Sequence, residues 1–503
     1  MAPPRCVCSR KCVVKAIKDN LLLILTLVGV VVGFIIGVVA KGADPSNDAI
    51  MWVNMPGELF LRGLQLAVIP LIVSTVITAV ATLDVRDNAK MGGFSLLYIV
   101  MATSSAVIMG LTLTVAIHPG KHSTDGGKDS PTSNYETQDI FADLLRNLIT
   151  DNIIAACIQS AITLYTKEVS IVFINGTNET HVELEKSLGK SNSTNMLGLV
   201  LFCVACGIAM SIERVRTKPL LDFFWAVRVV IFKLFGAFIW TLPVGTASLI
   251  AASILKTDSI ATLWQELAMF TVVVTAGLAI HMLITIPLIH LLFTCKIAHR
   301  IYWGVRKALV TAFIIRTSAG SFPFVLQGCE SIGMHKSVTS FVLSLCLCFK
   351  GDGSSLFIVS STIWLAQRTG TYLSVGQYVA AGILSAALSM CLPAVPSSSL
   401  VVIVLICNSL GVPAGGVGLL MAMDWLLDCL RTGVNNSSHA VGAGTVNHLM
   451  KRDIERKASE QENTSVQQSR TEETNHSMEV LSDSDIDIEE NLLCNDSESR
   501  PLI

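Results

Sequence analysis

The sequence predicts an all-α polytopic membrane protein whose apolar segments are interrupted by polar runs in its second half. Three observations carry this. Cysteine and apolar residues make up 51% of the 503 positions, charged residues only 15%, and the mean hydropathy is +0.60; soluble domains carry about 25% charged residues. Residues 21–40, LLLILTLVGVVVGFIIGVVA, hold no charge, and a helix of that length crosses a hydrocarbon core of about 30 Å. Finally, the stretch 305–448 places Arg316, Lys350, Asp352, Asp424, Asp428 and Arg431 within or beside apolar sequence. An ordinary cytosolic enzyme and a wholly disordered chain are both excluded. A net charge of -2 offers no basic surface for nucleic acid.

Each element follows in order. Residues 1–20 carry Arg5, Arg10, Lys11, Lys15 and Lys18 and read as a basic cytosolic N-terminus. Cys6, Cys8 and Cys12 there are either palmitoylated or plain thiols. The apolar run after them is longer than the roughly 7–15 residues of a signal peptide, so it is read as a retained first span. Apolar stretches at 57–83 and 94–117 follow. Three spans from a cytosolic start put the polar loop 118–195 outside, where the sequons of Asn175, Asn178 and Asn192 cluster as glycosylation acceptors. Further apolar runs lie at 196–212, 219–255 and 264–295, with Pro243 and Pro287 expected at kinks. Residues 449–503, with SDSDIDIEE and candidate phosphorylation at Ser482 and Ser484, read as a disordered acidic cytosolic tail.

The region 305–448 contains the polar runs RTSAGS, KGDGSS and PSSS between apolar segments too short to span twice. Irregular backbone at membrane depth survives only where protein buries it or water reaches it, and interrupted segments point to a transporter binding site. Re-entrant helical hairpins are therefore expected near 305–330 and 375–412. Beyond them, Asp424, Asp428, Arg431 and Asn435 recur at i, i+4, i+7 and i+11. At 100° per residue they share an arc of about 60°, with His439 on the same side. Charges at mid-membrane cost about 2.5–3.5 kcal/mol each on insertion scales, so they face a cavity or one another. Such a stripe suits an amino acid: a carboxylate holds the ammonium, and Arg grips a second carboxylate bidentately. An Asp–Arg pair that only locks helices together is the alternative. Cys203-x-x-Cys206, His281, His290 and Glu330 show no triad or metal spacing, so no enzyme is predicted.

With PGELFLRGLQLAVIPLIVSTVITAVATLD, the ALVTAF lead into the first hairpin, and MDWLLDCLRT followed by GAGTVNHL, residues 15–450 resemble the excitatory amino acid transporter family of dicarboxylate and neutral amino acid:cation symporters. The resemblance implies eight transmembrane segments plus two re-entrant helical hairpins, arranged as a scaffold and an elevator-type transport domain in a plasma-membrane homotrimer. The scaffold would take most of 21–263, and the transport domain 264–448 with the third span 94–117. It implies secondary active transport of acidic amino acids, L-glutamate or aspartate, with cytosolic termini; a non-transporting or anion-channel-like member stays open. The substrate would be bound by Arg316, Thr317, Ser318, Asp428, Arg431, Thr432 and Asn435. Asp428 would take the amino group, Arg431 a side-chain carboxylate and Asn435 the α-carboxylate.

No organic cofactor is implied, and sodium is the implied ion, at Asp352, Thr103 and Asn435. Here the chain departs from the family pattern. Lys350, His439, Ile99 and Ala102 stand where cation ligands are expected, and Ile358 replaces a glutamate linked to proton and potassium coupling. Lys offers no lone pair to a cation. The site thus loses one acid and gains one cation, which predicts weak dependence on sodium and, through His439, sensitivity to pH near neutrality. A weaker sodium site built from water and backbone carbonyls is the rival reading.

Overall fold

The computed structural model describes residues 21–82, 89–120, 137–174, 177–257, 259–349, 351–390, 392 and 398–456. The basic N-terminus, Asn175, Lys350, most of the PSSS approach and the phosphorylation candidates of the tail lie outside the described residues. The chain divides into two units, residues 1–446 and 447–503. The architecture that follows belongs to the first.

Apolar runs become helices whose ends coincide with polar caps and prolines. α1 is Leu21–Lys41, α2 Asn47–Ala81 and α3 Ala89–Ile117. Ser46 caps α2 by accepting the N–H of Ala49. α6 is Met196–Ile212, after two short helices α4 (Thr137–Leu148) and α5 (Ile153–Ala156). α7 (Lys218–Ile239) and α8 (Leu242–Lys256) meet at a bend of 53°. Pro243 sits in the first turn of α8, where its missing N–H costs nothing. The run 219–255 is therefore two helices, bent beside Pro243 where a kink is expected. α9 (Ile260–Ile280) passes through a π-helical turn, His281–Thr285, into α10 (Ile286–Thr294). That wide turn stands immediately before Pro287, which lacks the N–H a regular helix needs.

Both hairpins form as helix pairs. α11 (His299–Ile315) turns at Arg316 and Thr317 into α12 (Ser318–Ser331), against which it packs. α15 (Val375–Ser389) and α16 (Ser398–Leu410) form the second pair; Cys391 and 393–397 between them lie outside the described residues. Between the pairs, α13 (Lys336–Phe349) and α14 (Asp352–Arg368) make up a 33-residue span in which Gly351 is non-helical. α17 (Val417–Leu449) carries the charge stripe. Among the described residues five helices are long and apolar enough to cross a membrane, six with the bent pair counted as one. The all-α polytopic architecture stands.

One expectation needs correction. The stretch 118–195 is not irregular throughout, because Ser160–Ile174 (β1) and Thr177–Ser191 (β2) form an antiparallel ribbon with Ile174 opposite Thr177. Asn175-Gly176 joins them, the dipeptide that two-residue hairpin turns favour. Asp143 of α4 anchors the base by accepting both the N–H and the hydroxyl of Thr163, at 2.7 and 2.8 Å.

Two packing features fix the frame. Gly29, Gly33 and Gly37 line one face of α1, and Cβ atoms at Gly29 and Gly33 would overlap the backbone carbonyls of Pro243 and Ala247 on α8. Further along, Arg368 of α14 pairs with Glu266 of α9 at 2.5 Å and donates to the Thr257 hydroxyl at 3.0 Å; Glu266 is fully buried.

Gly33→Leu forces α1 away from α8 and is expected to cost about 1–3 kcal/mol or more. A melting temperature in detergent well below that of the parent, with loss of a monodisperse peak on size exclusion, checks this.

Candidate functional site

The break in the α13–α14 span and the turn of the first hairpin converge on the stripe of α17. Gly353 makes this possible: its Cα lies so close to the backbone of Arg431 that a Cβ would stand 3.0 Å from both the Cα and the carbonyl oxygen. The N–H of Gly353 donates to Oδ1 of Asn435 at 2.9 Å, tying the start of α14 to α17. Arg431, 1% exposed, donates from Nη2 to Asp424 Oδ1 at 2.8 Å and to Asp428 Oδ1 at 2.9 Å. Its guanidinium lies 4.1 Å from the ring centroid of Phe357, a cation–π contact strengthened by desolvation.

A cavity opens beside this cluster. Its wall includes Arg316, Thr317 and Ser318 from the first hairpin, Asp428, Thr432 and Asn435 from α17, and Ser398 and Ser399 from the start of α16. Six of the seven substrate residues expected from sequence therefore meet in one cavity. Arg431 does not line it; the two aspartates hold it behind the wall. Three groups here keep unused bonding capacity: Oδ2 of Asp428, and Nε and Nη1 of Arg431, are buried without a hydrogen-bond partner among the described residues.

Arg316, also on the cavity wall, has a left-handed conformation (φ 56°) and ends α11 with its N–H on the Ala312 carbonyl at 2.8 Å. It forms no ion pair among the described residues. Thr317 caps α12 by accepting the N–H of Gly320 at 3.0 Å. The N-termini of α12 and α16 both reach the cavity, and such ends present N–H groups and a positive dipole to an anion. Since Asn435 spends its oxygen on Gly353, its amide nitrogen is the donor it can offer.

Of the three residues expected at a cation site, Thr103 meets Asp352, while Asn435 bonds the neighbouring Gly353 instead. Asp352 is fully buried; Thr103 donates to its Oδ1 at 2.9 Å and Ser438 to its Oδ2 at 2.6 Å, while His281 Nε2 lies 3.4 Å from Oδ2. Ile99 and Ala102, both fully buried, offer no side-chain oxygen, and His439 is 4% exposed. No cluster of three His, Cys, Asp or Glu side chains suited to a metal occurs among the described residues. Of the glycan acceptors, Asn192 is exposed and Asn178 lies on β2.

Sequence reasoning missed Ser438, Phe357 and the role of His281. His281 reads as a lone histidine in an apolar run, and nothing local in the sequence points it at Asp352 seventy-one residues later. Ser354, in the flagged run KGDGSS, lines the cavity too.

Comparison with known proteins bears on all of this. The sodium:dicarboxylate symporter family matches residues 22–449. An excitatory amino acid transporter of Caenorhabditis elegans is 34% identical over 464 residues, covering 90% of this chain and 92% of the relative. One from Onchocerca volvulus is 34% identical over 451 residues, covering 87% and 92%. The human excitatory amino acid transporter 2 is 33% identical over 460 residues, covering 87% and 80%. With the family match spanning residues 22–449 and identity of 34% over 90% of its length, the chain belongs to the sodium:dicarboxylate symporter family.

Proposed function

We propose that this protein is a secondary active transporter of acidic amino acids, L-glutamate or aspartate, across the plasma membrane. The observation that carries the reading is the cavity lined by both Asp428 and Arg316 together with the N-termini of two helices. Asp428 Oδ2, buried without a partner, receives the substrate ammonium. Arg316 takes one carboxylate in a bidentate grip, and the ends of α12 and α16, with Thr432 and the Asn435 amide, take the other. Arg431 acts from behind: it neutralises Asp424 and fixes the rotamer of Asp428, so the grip on the substrate side chain passes from Arg431 to Arg316.

The family name supplies sodium as the co-transported ion, and the relatives' names supply the substrate class. The chain's own residues favour weak sodium dependence, because Lys350, His439, Ile99 and Ala102 stand in place of oxygen ligands. The division into a scaffold (21–263) and a moving transport domain (264–448 with the third span), the homotrimer, the cytosolic termini and glycans on Asn175, Asn178 and Asn192 complete the reading. Its support is the resemblance, the paired hairpins and the exposure of Asn192.

The test is uptake of radiolabelled aspartate and glutamate into proteoliposomes, with and without a sodium gradient. Uptake above that of empty vesicles is expected; its absence under every gradient favours the non-transporting reading.

Arg316→Gln is expected to weaken aspartate binding about 10- to 100-fold, the loss of one charge-assisted contact, and to leave a neutral amino acid such as alanine little changed. Isothermal titration in detergent reads both.

Arg431→Cys leaves two carboxylates buried and unpaired, and is expected to destabilise the fold by about 3–5 kcal/mol as well as abolish binding. An Arg431→Cys protein that melts with the parent yet binds no acidic substrate would instead return the carboxylate grip to Arg431.

A further inference from the structure

We propose that the hydroxyl of Ser438 is a built-in occupant of the Asp352 carboxylate, standing where a co-transported cation would sit, and that it sets how strongly substrate binding depends on sodium. This rests on the transport reading above and specifies its coupling.

Asp352 is the first residue of α14, fully buried beside the break in a membrane span. A carboxylate at that depth needs a cation or strong donors. The chain supplies the donors itself. Ser438 gives its proton to Oδ2 at 2.6 Å, in the range of short bonds to ionised oxygen. Thr103 gives its proton to Oδ1 at 2.9 Å, and the ring of His281 closes on Oδ2 at 3.4 Å. The backbone at Ser438 is held as well, since the Tyr98 hydroxyl donates to its carbonyl at 3.1 Å. Ser438 and Thr103 are both fully buried, so neither exchanges its carboxylate bond for one to bulk water.

A hydroxyl has one proton. While Ser438 donates it to Asp352, its lone pairs point away from the carboxylate, and the two oxygens cannot close on one cation. A sodium ion at this spot has to turn the hydroxyl and displace a charge-assisted bond as well as shed its own water. The site as built therefore fits an internal donor better than it fits sodium. Ser438 acts through Asp352 and is a positioning residue. The sign of its effect separates the two roles: removing an internal occupant strengthens sodium binding, whereas removing a sodium ligand weakens it.

The experiment uses the full chain in detergent, as the parent and as Ser438→Gly, Ser438→Ala and Ser438→Thr. Aspartate affinity is measured from low to high sodium at fixed ionic strength, with choline as the replacement. A weak sodium effect in the parent and Ser438→Thr, and half-effect at a sodium concentration lower by about tenfold in Ser438→Gly and Ser438→Ala, is the result expected. An equal half-effect concentration in all four, or a higher one on removing the hydroxyl, overturns the proposal. The melting temperature against sodium, taken without substrate, gives the same ordering. Because it needs no aspartate, it decides the role of Ser438 even if no variant binds an acidic amino acid, which would defeat the transport reading separately. Ser438→Ala keeps a helix-forming residue in place should Ser438→Gly fail to fold.

Discussion

A guanidinium sealed inside a membrane helix bundle constrains everything near it. Arg431 is 1% exposed and cannot reach water, so its charge must be answered from within. Asp428 and Asp424 answer it one and two turns back along the same helix, and Phe357 presents a ring face from α14. That ring reaches Arg431 only because α14 starts where it does. The start of α14 in turn depends on the non-helical Gly351 and on Gly353, the residue that lets the two backbones touch. The cavity wall, the break in the span and the position of Asp352 all follow from accommodating this one cation.

The molecule holds a second buried ion pair, and the contrast is instructive. Arg368 meets Glu266 through one terminal nitrogen and Thr257 through the other, with Trp364 beneath it, 5.8 Å from ring centroid to guanidinium carbon. There the charges close on each other. Around Arg431, two guanidinium nitrogens and one carboxylate oxygen remain without hydrogen bonds among the described residues, beside a polar cavity. Leaving such groups unsatisfied is costly in a dry interior, and of the three only Oδ2 of Asp428 belongs to a residue that lines the cavity and could meet a donor there. The first pair reads as architecture and the second as a site waiting for chemistry.

Much of this was legible in the residues. The helix over 196–212, the first span and the charge stripe at i, i+4, i+7, i+11 follow from hydropathy and period alone. The polar runs RTSAGS and PSSS marked both hairpins, since such runs cannot face lipid. Other features depend on tertiary contact. That Arg431 turns inward while Arg316 lines the cavity is decided by Phe357 and the two aspartates, which no local pattern connects. The meeting of Asp352 with Thr103, Ser438 and His281 joins four distant stretches of chain. The β-ribbon is a different case: Asn175-Gly176 between β-prone runs is a hairpin signal, masked by the sequon that shares the same asparagine.

That ribbon has mechanical consequences. Each strand runs 15 residues, which at about 3.4 Å per residue makes an arm about 50 Å long. Two strands alone are marginally stable, and the base of the arm is held by Asp143 to Thr163 and by the Asn147 side chain to both backbone groups of Ala161. An arm hinged at its base is a lever. A rotation of only about 10° at α4 sweeps its far end through about 9 Å at that length, so a change too small to register among packed helices becomes large where the strands end at Ile174 and Thr177.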